Sequence, residues 1–206
     1  MLQQTLGIFL EPEYTSEDFI VTNSNIEAFR SLSNTHLWPE NRMLILGEEG
    51  SGKTHLAGIF QYLYSNALVC ENIESIKDEE YLFHLINSTK TMNCSLLLTA
   101  ATLPRFRLKD LQSRINATHK VLIKPADDYL LRIILSKHFA DRQLPVKEEI
   151  IDYILSRSDR SYKAIKRTVD SIDRLSLAAK RNITIPLVKS ILSGDNPLTK
   201  QPGTLL

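Results

Sequence analysis

Met43-Leu44-Ile45-Leu46-Gly47-Glu48-Glu49-Gly50-Ser51-Gly52-Lys53-Thr54, residues 43–54, joins a short unbroken apolar run to a glycine-rich loop. Every fixed position of the pattern G-x-x-x-x-G-K-[ST] is filled between Gly47 and Thr54. Glycines let backbone amides turn inward around phosphate oxygens, and the helix that follows offers its positive N-terminus to the same anion. That helix is legible, because Leu56, Ile59, Phe60 and Leu63 recur at i, i+3, i+4 and i+7. A strand before the loop and an amphipathic helix after it are the context the motif requires. The expected cradle is Gly47, Gly50, Ser51, Gly52, Lys53, Thr54 and His55. Lys53 would reach the β and γ phosphates, and the Thr54 hydroxyl would hold Mg2+. Glu48 and Glu49 would repel a nucleotide, so their side chains are expected in solvent.

Outward from the loop, unalternating apolar runs return at Leu68-Val69-Cys70, at residues 95–99 and at Val121-Leu122-Ile123. Runs of this kind suit strands covered on both faces of a parallel sheet. Glu71, delivered to the end of the second run, is placed to complete a magnesium shell with Thr54. Asn72 beside it is a neutral amide that cannot accept a proton, so slow intrinsic hydrolysis is expected. A helix is expected over 78–91. Beyond Pro125 only helical patterns follow, over 127–142, 147–157, 161–180 and 186–192. In the third of these Tyr162, Ile165, Val169, Ile172, Leu175 and Ala179 form an apolar stripe. The fold expected is α/β, a P-loop core with a short parallel sheet, plus a small C-terminal helical domain. Its divisions are an extended arm over 1–18, a nucleotide-binding domain over 19–125 and a helical lid with a short tail over 126–206.

Composition agrees with this division. At about 150 residues per domain, 206 residues make either one large domain or one with a small appendage. Hydrophobic residues at 43% and charged residues at 24% exclude a disordered or fibrous chain. A net charge of +1 gives no global field that would select nucleic acid or membrane, so any such site must be local. Cys70 and Cys94 fit neither a paired-cysteine metal site nor a disulfide framework and are expected to be buried thiols. No run is long enough to span a membrane and no signal peptide opens the chain, so a cytoplasmic location is expected.

Five stretches together resemble the DnaA/Hda family of AAA+ ATPases: Gly47–Phe60, Leu68–Ile76, Leu96–Pro104, Leu108–Ile115 and Leu175–Leu192. The resemblance runs from about Phe19 to Leu192. Val69–Glu74 and Asn182–Pro186 point to its Hda-type members, the regulatory inactivators of the replication initiator DnaA. It implies an AAA+ core that binds ADP or ATP with Mg2+, and Glu71 with Asn72 as the Walker B pair. Arg114 matches the arginine finger offered to a neighbour's nucleotide, a cation worth about 10³ to 10⁵ in rate. Lys163 matches the sensor 2 arginine, with a point charge where the family has a planar fork. Ala101 stands where relatives carry an acid, which again implies weak or absent turnover by the chain itself.

Relatives also interpose a strand and helix between the P-loop helix and the Walker B strand. About a dozen residues separate them here, too few for a parallel crossover, so four core strands are expected instead of five. In the arm, Gln3, Leu6 and Ile8 are similar to the short motif by which Hda proteins dock on the sliding clamp of DNA polymerase. The partners implied are DnaA and that clamp, with DNA contacted through them. A homo-oligomer remains open.

Two other function classes compete. A DnaA-like or loader-type ATPase would act in replication initiation by nucleotide-dependent DNA or partner binding. Lys163, Lys166, Arg167 and Arg174 would serve it, although a basic stripe opposite an apolar one is usually the solvated side of a helix, and no helix-turn-helix reader follows the bundle. A small-molecule kinase on the same core lacks an identifiable acceptor base. The histidines show no ligand spacing, so no metal beyond nucleotide-bound magnesium is expected.

Overall fold

The structure, a computed structural model, describes residues 19–179 and 182–193. Four strands form one parallel sheet: β1 (Arg42–Leu46), β2 (Leu68–Cys70), β3 (Leu96–Ala100) and β4 (His119–Leu122), in the order β2-β3-β1-β4. Leu44 lies opposite Leu98 on one side and Lys120 on the other. Among the described residues the four-strand expectation holds, with β2 paired only to β3 and left at the margin.

The sheet is covered on both faces, which is why its central strands are apolar without alternation. Met43, Ile45 and Leu97 point to α1 (Ile26–Leu32) and α2 (Lys53–Leu63), in a core with Leu56, Phe60 and Val121. Leu44, Leu96 and Leu98 point the other way, to α3 (Glu79–Met92) and α4 (Lys109–Ala117), in a core with Leu82, Ile86, Leu111 and Ile115. Trp38, 4% exposed, packs on Phe60 and donates its indole N–H to the Ser31 carbonyl at 2.9 Å.

Helix starts follow from capping chemistry. Asp78 accepts the Tyr81 N–H at 2.9 Å and opens α3, while Asp127 accepts the Leu130 N–H at 2.7 Å and opens α5 (Asp128–Asp141). Each aspartate is therefore a cap and not the first helical residue. Helices α6 (Glu148–Arg157), α7 (Tyr162–Ala179) and α8 (Ile185–Leu192) complete the lid, whose own core joins Leu135, Phe139, Ile154, Ile165, Val169 and Ile172. Strand β4 starts two residues before its apolar run. Ile123 closes that run by donating its N–H to the Leu46 carbonyl at 2.7 Å. Cys94 is buried as expected, whereas Cys70, on the marginal strand, is only half-buried.

Candidate nucleotide-binding site

The loop 47–52 leaves β1 at the C-terminal end of the sheet and enters α2. Gly50 and Gly52 carry positive φ values of 84° and 93°, the left-handed region that glycine tolerates. A side chain at either would also collide, since a Cβ on Gly50 would stand 3.0 Å from Tyr162 and one on Gly52 3.0 Å from Phe19. The lid and the N-terminal segment thus both rest on the loop's glycines.

Lys53, 7% exposed, donates from Nζ to the carbonyls of Gly47 at 2.7 Å and Glu48 at 2.9 Å. Burial pushes its ammonium below the usual lysine range, and Glu74, Glu49, Glu71 and Glu48 pull it back up. Across the cleft the Thr54 hydroxyl donates to the Glu71 carboxylate at 2.5 Å, so the two expected magnesium-binding groups, 17 residues apart, meet. Asn72, in the left-handed region at φ 51°, donates its backbone N–H to Thr99 Oγ1 at 3.1 Å. Glu74 accepts the Ala101 N–H at 2.7 Å. The ends of β2 and β3 are therefore pinned together beside the loop. Ser51 Oγ is buried without a hydrogen-bond partner.

Above the loop lies a cavity of ≈ 280 Å³ floored by Gly50, Ser51 and Gly52 and walled by Phe19, Ile134 and Tyr162. His55 stands at its rim, edge-on to the Phe19 ring with centroids 5.2 Å apart. His138 and Lys166 face it from the lid. Burial, with Arg142 and Lys166 adding to it, pushes His138 below the usual histidine range, while Asp141 and Asp170 oppose them. Burial raises the Tyr162 hydroxyl, which Ser24 partly offsets.

Glu48 and Glu49 are both exposed, as expected, but Glu49 does not end in solvent: its carboxylate binds the Lys163 ammonium. That hydrogen bond holds the Glu49 carboxyl below the usual range. Lys163 therefore meets a side chain of the loop. Arg114 is brought to none of these groups. It lies in the last turn of α4, which leads into the start of β4, near Arg42 at the start of β1 and so toward the end of the sheet opposite the loop. Phe19, Glu74, Thr99, Tyr162, His138 and Lys166 join the site without a sequence signal of their own, although Glu74 follows Glu71 on the same segment. Gln3, Leu6 and Ile8 lie outside the described residues. Among the described residues no three histidines, cysteines or carboxylates cluster for a metal, and no helix is long and apolar enough to cross a membrane.

Comparison with known proteins agrees with this geometry. The Hda lid-domain family matches residues 128–192, the span from the first residue of α5 to the last of α8. Domain III of the Thermotoga maritima replication initiation protein DnaA superposes with a TM-score of 0.75 at 16% identity, over 90% of this chain and 98% of that one. A replication initiator DnaA bound to AMPPCP and single-stranded DNA superposes at 0.61 with 19% identity, over 84% and 70%. An uncharacterized protein of Haemophilus influenzae is 28% identical over 227 residues, covering 93% of this chain and 98% of its own length. That span exceeds the 206 residues of the present chain, so the relative carries inserted residues.

Proposed function

We propose, from the premise that this chain is an Hda/DnaA-type AAA+ protein, that it binds an adenine nucleotide between loop and lid and stimulates hydrolysis of ATP held by DnaA. The placement of Arg114 carries this reading. Its guanidinium lies at the end of the sheet away from its own loop, which supports a role toward a nucleotide on a neighbouring subunit over one toward its own.

The cradle fits ADP or ATP with Mg2+. Gly50 and Gly52 hold the backbone in a curve that would strain any side chain, and among the described residues Ser51 Oγ is buried and lacks a partner. A nucleotide would supply the anionic tail for the loop and, with its magnesium, the divalent charge for Thr54 and Glu71. Lys53 would release the Gly47 and Glu48 carbonyls and turn its ammonium to phosphate oxygens. Asn72 accepts no proton, so the site holds and reports a nucleotide and turns it over slowly. Residues 1–18 would tether the chain to the sliding clamp through Gln3, Leu6 and Ile8, with DNA reached through the clamp and DnaA.

The test is turnover of DnaA-bound ATP with this chain, clamp and DNA each omitted in turn. Arg114→Ala should leave nucleotide and clamp binding intact and remove stimulation by about 10³-fold or more. Stimulation equal to that of the unmodified chain would overturn the proposal.

A further inference from the structure

Helix α3 grips α4 at two points. Glu79, in the first turn of α3, accepts the N–H groups of Arg107 at 3.0 Å and Leu108 at 2.7 Å, which fixes the start of α4. One turn further along the same face of α3 stands Phe83, half-buried against the core beneath both helices. Arg114 lays its guanidinium over that ring, with Cζ 5.1 Å from the centroid. The turn that carries Arg114 is itself tied down, because its carbonyl accepts both the N–H of Thr118 at 3.0 Å and the Thr118 hydroxyl at 2.8 Å.

The chemistry of this seat is unusual for an arginine. Among the described residues the Arg114 guanidinium takes no hydrogen bond and no ion pair. A carboxylate at the same place would neutralise the charge and consume its donors. An aromatic face attracts the cation while offering no oxygen lone pair, so the N–H groups stay available for phosphate oxygens. Arg42, 3% exposed at the start of β1, lies behind with a like charge, which disfavours a swing of Arg114 inward over the sheet.

We infer that Phe83 is the positioning residue of the trans-acting arginine: its ring holds Arg114 outward, charged and unpaired, ready for a phosphate on a neighbouring subunit. This rests on the reading of Arg114 given above. Phe83 touches no nucleotide and acts only through Arg114.

The experiment measures stimulated turnover of DnaA-bound ATP by the full chain carrying Phe83→Leu, Phe83→Trp or Arg114→Ala, as a function of chain concentration. Leucine keeps the apolar packing and loses the aromatic face. Phe83→Leu should therefore lower the maximal stimulated rate between about 2- and 30-fold and leave the half-saturating concentration unchanged. Phe83→Trp should restore the rate to within about 2-fold, since indole is the best aromatic partner for a cation. A leucine variant equal to the unmodified chain, or one whose loss lies wholly in the half-saturating concentration, would overturn the role of Phe83. Full stimulation by Arg114→Ala would instead overturn the arginine reading beneath it.

Discussion

Glu49 is the residue whose behaviour departs most from its local sequence. It brings a negative charge to a loop built for anions, and the structure gives it a cation from the lid, Lys163. The carboxylate occupies Lys163 much as a phosphate would, so a nucleotide that uses Lys163 must displace it. Glu49→Gln removes both the competitor and a repulsive charge. Affinity for ADP should rise by about 1.5- to 5-fold, the scale of an exposed ion pair, and the gain should shrink as ionic strength rises. Isothermal calorimetry at two salt concentrations reads this directly, and unchanged or weaker binding would refute it. The loop motif was legible at this scale because its eight positions, Gly47–Thr54, are contiguous and its fixed positions each have a chemical reason. The Glu49–Lys163 pair was not, because partners 114 positions apart leave no spacing to read.

Among the elements, the long helices announced themselves through apolar period, and the errors there are single residues at helix starts and ends. Helix α1 passed unseen because seven residues make two turns, too short for an apolar period to stand out. Helix α5 carries a pH prediction. His138 is held below its ordinary range chiefly by burial, so the folded chain resists the proton that the unfolded chain accepts near pH ~6.5. The unfolded state then binds more protons, and stability falls as pH drops below that value. The stabilisation is fully present above about pH 6.5 and is lost as pH descends toward the lowered folded value. His138→Gln should flatten this part of the profile, measured as Tm between pH 7.5 and 5 in steps. A variant with the same slope as the unmodified chain would place the proton elsewhere.

At the scale of the whole molecule there are two faces of one sheet and a separate lid core, each with its own apolar cluster. Phe60 is the hub of the first face, fully buried and in ring contact with Trp38 and Tyr64. Phe60→Ala should cost about 3–5 kcal/mol in urea unfolding, because the rigid sheet behind it cannot collapse into the cavity. The clusters were legible as apolar runs and stripes. Their partition between faces was not, because unalternating strands hide which side each residue takes until the register is known.

The sequence of strands across the sheet decides where such a chain can be made shorter. The loop's parent strand has a neighbour on either flank, and β2, the margin of the sheet among the described residues, leads directly into the carboxylate that meets Thr54. Dropping a strand beyond β2 leaves the anion seat untouched. A cut of the same size at the opposite border would take β4, with α4 and the arginine it carries. Shortening therefore spares both the loop and Arg114 only on the β2 side, away from the arginine for which we propose a role toward a neighbouring subunit.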